Sequence, residues 1–186
     1  MTIYLITSNI SKYQEIKKVL ANFSIKLKRI DIDLPEIKSL APRQVVIDKV
    51  NKAYKIVKKP VIVDDTSLFF SGYNQFPGTI SRFIFMTLGF SGIFKLIKNN
   101  HSAYFESYIA YLDKKSAVPH IFTGKCQGKL IKKILGKKRT KMPYDNIFIP
   151  QGETKTFAQL GVAMKQKYDH RTKAVIKLAK YLTKIK

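Results

Sequence analysis

Cysteine occurs once in the 186 residues, as Cys126, which excludes an internal disulfide and any zinc or iron-sulfur site built from several cysteines. Glycine is also sparse. There are 9, with no GxxxxGK[ST] string, so a glycine-rich loop of the P-loop kind is excluded as a phosphate cradle. Long apolar runs are missing: between Arg82 and Lys95 lie 12 uncharged residues broken by glycines, against about 20 needed to cross a bilayer, so no membrane span or membrane partner is expected. The opening MTIYLITSN has neither the basic start nor the small-residue cleavage site of a signal peptide, and a cytoplasmic location is the expectation.

Acids are the scarcest class for the chain's size, 12 against 35 lysines and arginines, for a formal charge of +23. Such an excess attracts polyanions, nucleoside triphosphates and nucleic acids among them. No acid lies between Asp113 and Asp145, and KLIKKILGKKRTK, residues 129–141, concentrates bases inside that gap. A solvated face and a non-specific nucleic-acid contact both fit this run. A hydrophobic content of 45% is enough for one domain over residues 1–186, or for two lobes sharing one core.

TIYLIT reads as an opening strand, and Ser11 with Gln14 forms a capping box that predicts a helix to about Phe23. SIKLKRI alternates as a half-buried strand does, and DLPEI breaks it. A second helix is expected from Pro42 to about Lys58, with Val46, Val50, Ala53 and Val57 inward. PVIV then predicts a short buried strand delivering Asp64 and Asp65 to its carboxyl end. This alternation argues for an α/β sheet, whose sites commonly lie at strand carboxyl ends. NQFPGTI supplies a turn, and SRFIFMTLGFSGIFKLI predicts two short buried helices punctuated by Gly89 and Gly92. AYFESYIAYLD and HIFTGKCQGKL pattern as an antiparallel pair, NIFIP as a short strand, and His170 to Leu182 as an amphipathic helix with Ala174, Leu178 and Leu182 on one side.

Three groups of residues could carry chemistry. In TSNISKYQE a strand hands over to a capped helix, where Thr7, Asn9 and Lys12 would meet an anion at the positive end of the dipole; an ordinary helix start is the other reading. Glu36 in a proline loop and Asp65 after the third strand offer two oxygen ligands for magnesium beside substrate phosphates, one able to orient or deprotonate a water. Alternatively, Asp64 and Asp65 cap a turn or pair with lysines. Late in the chain, Tyr144 offers a stacking surface, Asp145 an acceptor for base N–H groups, and Lys165, His170 and Arg171 donors for a purine carbonyl. Asp169 as a helix cap with two exposed neighbours is the plainer version.

Taken in order, these strings resemble the inosine triphosphate pyrophosphatase family over nearly the whole chain. TSNISKYQE is similar to T-x-N-x-x-K-x-x-E, DLPEI to an L-P-E loop, VIVDDTSLFF to V-E-D-T/S, and NQFPGTISRF to N-G-F-P-G. FTGKCQG, YDNIFIP, KTFAQL and DHRTKA are similar to F-x-G-x-x-x-G, W/Y-D-P-I-F-x-P, K-T-F-A-E-L and S-H-R-x-K-A. The resemblance implies an elongated mixed central sheet with helices in two lobes, a nucleotide cleft between them, and a homodimer. It also implies magnesium-dependent release of pyrophosphate from ITP, dITP and XTP. Carried over, it makes Asp65 the general base or its metal-held equivalent, with Glu36 a metal ligand. Asn9, Lys12 and Lys49 hold the triphosphate, and Thr7 and Thr66 also contact substrate. Tyr144 and Asp145 meet the base, with Lys165, His170 and Arg171 at the purine oxo group, while Asp64 and Glu15 support.

The chain departs from that pattern at Ser8, Ser67 and Gln75, each standing where glycine is usual and positive φ or close approach is expected. Met142 and Pro143 replace Phe-Gly, and Asp169 replaces Ser beside His170. Catalysis is expected to survive these changes, with base selectivity the property most exposed to them. Two other readings compete: a nucleic-acid-binding protein on a degenerate nucleotide-hydrolase fold, motivated by the charge, and a Maf-like nucleotide pyrophosphatase, which the D-H-R and T-S-N segments oppose.

Overall fold

The structure is a computed structural model that describes residues 1–97, 101–116 and 118–185. Its seven-stranded sheet runs β2-β1-β3-β5-β6-β7, with β4 paired to β3 off that path. β1 (Thr2–Ile6) pairs in parallel with β2 (Lys26–Ile30) along its whole length and with the start of β3 (Val61–Phe70), where Tyr4 faces Val61 and Leu5 faces Ile62. β4 (Pro77–Gly78) is antiparallel to β3, and β7 (Phe148–Pro150) to β6 (His120–Leu130), so the sheet is mixed. β5 (Ser102–Leu112) lies between β3 and β6.

The chain forms two compact units, Met1–Thr66 with Ser107–Gly124 and His170–Lys186, and Ser67–Glu106 with Lys125–Asp169. In the first unit, strand alternation sorts the helices. Ile3, Leu5 and Ile62 share a core with Ile16, Val19 and Leu20 of α1 (Ile10–Ala21) and with Ala174, Val175 and Leu178 of α5 (His170–Lys184). Ile6, Val61 and Val63, one position out of phase, pack on Val46, Val50 and Ala53 of α2 (Pro42–Val57). The period of two thus places α1 and α5 on one face and α2 on the other.

The second unit has an aromatic core. Phe105 meets Phe148 edge to face at 4.8 Å, and Phe148 lies 5.0 Å from Phe157, the first residue of α4 (Phe157–Tyr168). α4 escaped the sequence reading, although Thr156 caps it through Oγ1 and Gln159 completes the box, a T-x-x-Q signal present in KTFAQL. α3 (Ser81–Leu96) is broken at Gly89, whose φ of 58° and ψ of −169° leave the helical region, as the two-helix expectation held. Its burial was misjudged: Phe83 is 64% and Met86 72% exposed, and only Ser81 and Ile93 are buried.

Two further expectations are corrected. α1 begins at Ile10 and is capped two residues before Ser11, because Asn9, a stronger cap in extended conformation, accepts from the backbone N–H of Ser11 and Lys12 at 3.0 and 3.3 Å. β3 continues through TSLFF, whose apolar side chains are buried, so Asp64 and Asp65 stand in mid-strand just past the last pairing with β1 rather than at a strand end. Of the three glycine replacements, Gln75 takes the left-handed backbone at φ 51°, whereas Ser8 and Ser67 need no positive φ. Gln75 is tied to a tight turn in which Gly78, at φ 58°, leaves no room: a Cβ there would lie 2.7 Å from the Gln75 carbonyl oxygen.

Candidate active site

Asp64 and Asp65 are adjacent in a strand, so their side chains leave on opposite faces. Asp64 falls on the α1 and α5 side with Ile62. Arg171 Nε donates to its Oδ2 at 3.2 Å, Lys12 Nζ lies 2.9 Å from the same oxygen, and Ser107 Oγ donates to Oδ1 at 2.6 Å. Burial works against this charge, but Arg171 and Lys12 outweigh it, with help from the Ser107 hydroxyl, and hold the carboxyl well below its usual range. Arg171 is itself fully engaged: Nη1 donates to Glu15 Oε2 at 2.5 Å and Nη2 to Thr66 Oγ1 at 2.8 Å. A buried network of Asp64, Arg171, Glu15, Thr66 and Ser107 therefore joins β3, β5, α1 and α5.

Asp65 has the opposite environment. It is buried, and its Oδ2 has no hydrogen-bond partner. Burial pushes its carboxyl up, the positive charges of Lys12 and Lys49 pull against that shift, and Glu36 and Asp64 reinforce it. Glu36 comes from the exposed loop before α2 and pairs with Lys49 of α2. Burial disfavours the Lys49 charge, yet Glu36 and then Asp65 outweigh it and leave the ammonium above its ordinary value. The structure thus brings Lys12, Glu36, Lys49 and Asp65 into one electrostatic neighbourhood, with Thr7 and Asn9 at the start of α1. Asn9 N donates to Thr7 Oγ1 at 3.1 Å, fixing the turn that aims Lys12.

In the second unit, Lys165 Nζ lies 2.9 Å and Arg139 Nη1 3.2 Å from Asp145 Oδ2. Asp145 and Lys165 are both buried. Tyr144 sits in the aromatic core, edge to face with Phe85 at 5.6 Å, and donates its hydroxyl to the Ser81 carbonyl at 3.0 Å. Burial raises its phenol accordingly. In the first unit, Asp169's neighbours His170 and Arg171 are 2% and 3% exposed, which overturns the reading of a cap with exposed neighbours. The FTGKCQG glycines are packing positions: a Cβ on Gly124 would meet the His170 carbonyl and lie 2.7 Å from Ala174 N, and one on Gly128 would strike Ile149 and Phe148. Two participants were missed, Ser107 and Arg139. A lone serine at an inward position of FESYIAYL was the only signal for the first, and nothing in the basic run singled out the second.

These features define an α/β protein with a buried carboxylate set among lysines, on which the comparisons with known proteins converge. A family model described as the Ham1 family matches residues 3–181, and the chain belongs to that family. It is 38% identical over 183 residues to a dITP/XTP pyrophosphatase of Methanopyrus kandleri, covering 97% of this chain and 96% of that one. A dITP/XTP pyrophosphatase of Saccharolobus solfataricus is 35% identical over 179 residues, covering 95% and 91%. The fold matches that of a HAM1 protein from Coxiella burnetii with a TM-score of 0.79 at 24% identity, covering 99% of each chain.

Proposed function

We propose that this protein hydrolyses non-canonical purine nucleoside triphosphates, ITP, dITP and XTP, to the monophosphate and pyrophosphate, as a cytoplasmic nucleotide-pool enzyme. The names of its full-length relatives support that activity. The observation that carries it is Asp65, a buried carboxylate with an oxygen lacking any hydrogen-bond donor, set beside two lysines and a second carboxylate. A buried charge left in that condition costs stability and is retained where a ligand completes it.

Among the described residues no three His, Cys, Asp or Glu side chains gather into a closed metal cage. Magnesium does not require one, since it is commonly held by one or two carboxylates together with substrate phosphates and water. Asp65 and Glu36 fit as those ligands, and the ion would neutralise phosphate charge. Lys12 and Lys49 would bind the triphosphate, exchanging their present carboxylate partners for phosphate oxygens. Asp65, with its raised carboxyl, would hold or take the proton of the attacking water. Thr7, Asn9 and Thr66 would add polar contacts to the tail. Tyr144, Asp145, Lys165 and His170 would meet the base, while Arg171, saturated by Asp64, Glu15 and Thr66, orders the carboxylate network.

The test is to incubate the protein with magnesium and a panel of ITP, XTP, GTP, ATP and pyrimidine triphosphates, following pyrophosphate against orthophosphate. Pyrophosphate from ITP and XTP in large preference to ATP is expected; orthophosphate, or no turnover, rejects the proposal. A homodimer is part of the proposal, supported by the exposed Phe83 and Met86 of α3, and a monomer by light scattering would reject that part. So is a non-specific nucleic-acid contact through residues 129–141, where Lys132, Lys133, Lys137 and Lys138 are exposed. Binding there should fall steeply with salt, and salt-insensitive or absent binding would remove it.

A further inference from the structure

Residues 31–41, between β2 and α2, hold no helix or strand, and they carry Glu36 in the open, since Pro35, Glu36, Ile37 and Lys38 are all exposed. The fixing of so open a segment is local. Leu34 is its inner anchor, buried in the core it shares with Val46, Val50 and Ala53 of α2. Lys49 of the same helix pairs with Glu36, and Lys52, three residues on, donates from Nζ to the Pro35 carbonyl at 3.0 Å. Among the described residues, the hydrogen bonds to Pro35 and Glu36 thus come from one face of α2.

The Pro35 contact acts on what the chain can still rotate. Proline fixes its own φ and confines Leu34 before it to extended backbone, so between the buried Leu34 and the Glu36 side chain the soft backbone rotations are ψ of Pro35 and φ of Glu36. The Pro35 carbonyl and the Glu36 N–H belong to one planar peptide unit. Holding that carbonyl sets the first rotation and, with it, the direction in which Glu36 leaves the loop. Lys52 is itself steadied by Asp48, whose Oδ2 lies 2.7 Å from the same Nζ, with the acid four residues before the base as an exposed helical pair prefers. An ammonium has three donors and can serve both partners.

The two lysines part company when substrate arrives. Lys49 exchanges Glu36 for phosphate oxygens, so the Glu36 carboxylate loses its present partner at the moment it is needed as a metal ligand. Lys52, bonded to a carbonyl and to Asp48, can keep its place throughout. We propose that Lys52 is a positioning residue for the metal site: by holding the Pro35–Glu36 peptide unit, it keeps the Glu36 carboxylate presented, with Asp65, once Lys49 has turned to the triphosphate. The proposal rests on the reading that Glu36 and Asp65 hold magnesium and Lys49 the triphosphate. Neither Lys52 nor Asp48 falls in any string that carries the family resemblance, so this tether is read from the structure alone.

The experiment compares the unmodified protein with Lys52→Met, Lys52→Arg and Glu36→Gln. The Lys52 side chain is 36% exposed, so its replacement spares the core. Three quantities are read: the magnesium concentration for half-maximal ITP turnover, the affinity for Mn2+ by electron paramagnetic resonance with α,β-methylene ITP, and amide exchange of residues 33–40 in chelator-treated buffer. Lys52→Met should raise the magnesium requirement and weaken Mn2+ binding about tenfold, the lower end of the loss seen when a support of a metal ligand is removed, with kcat at saturating magnesium little changed. Its loop amides should exchange faster. Lys52→Arg, which still offers a donor to the carbonyl, should restore most of the metal affinity and the protection. Unchanged metal affinity in Lys52→Met overturns the proposal, as does unchanged loop exchange, or a loss of kcat at unaltered magnesium dependence. The Glu36→Gln arm separates the two levels. If it leaves the magnesium requirement and Mn2+ binding as they were, the assignment of Glu36 to the metal itself fails; if it weakens both while Lys52→Met weakens neither, only the role of Lys52 fails.

Discussion

Asp64 and Asp65 are chemically identical and covalently adjacent, and the strand gives them opposite duties. Asp64 is a structural anion whose charge the fold supports, because Arg171, Lys12 and Ser107 more than repay its burial. Its carboxyl is depressed in the folded protein, so it contributes stability above the ordinary carboxylate range, and that contribution is lost as pH falls through the depressed value. Asp64→Asn should therefore cost about 3 kcal/mol at neutral pH, the scale of breaking a buried ion pair, and a melt series should show the deficit shrinking on acidification. Asp65 behaves inversely. Its carboxyl is raised, so its ionisation opposes folding, with a cost that builds as pH rises through the raised value and is complete above it. In chelator-treated buffer Asp65→Asn should melt no lower than the unmodified protein, and higher near neutral pH. Its turnover should fall about 100-fold or more, the loss of a general base. Near-normal turnover would reject the assigned role, and a lower melting temperature would reject the account of its burial.

At the scale of elements, the structure depends on close backbone approach that no side chain announces. Gly124 of β6 lets the start of α5 lie against the strand, since a Cβ would meet the His170 carbonyl and Ala174 N. Gly124→Ala should cost about 1–3 kcal/mol, the usual range for overpacking, read as a lower denaturation midpoint at unchanged slope. Tolerance of alanine would show that α5 can shift away without loss. Elements with one uniform apolar period are legible in the sequence: β1, β2, α2 and α5 appear as the pattern of Ile3, Leu5, Val46, Val50, Ala174 and Leu178 requires. Where the period mixes, legibility ends. β3 is buried on both faces, so its apolar run carries no boundary after Val63, and two acids inside it read as a terminus. α4 is kinked at Gly161, at φ 68°, which cuts its helical stripe in half. Likewise the carboxylates and lysines of the candidate site were legible as residues. Which lysine meets which acid was not, because Lys12 with Asp64 and Arg139 with Asp145 are pairings fixed by tertiary packing.

For the molecule as a whole, the distribution of acids makes its charge more extreme than composition suggests. Five of the 12 acids, Glu15, Asp64, Asp65, Asp145 and Asp169, are buried, whereas among the described residues only Lys165 and Arg171 of the 35 bases are. The anions are placed inside, where they order networks and the candidate site, and the surface is left with lysines that few carboxylates neutralise. Such a surface repels itself when folded and draws triphosphates from a distance, and both effects are screened as the Debye length shrinks from about 10 Å at 0.1 M salt to about 3 Å at 1 M. Added potassium chloride should accordingly raise the melting temperature while lowering kcat/KM for a triphosphate substrate, with kcat changed less than KM. The two opposed slopes belong together. A melting temperature that falls with salt would place the dominant electrostatic term in buried or paired charges such as the Arg171 network rather than in the lysine surface, and a salt-independent KM would show that encounter with the nucleotide is governed by the few lysines at the site.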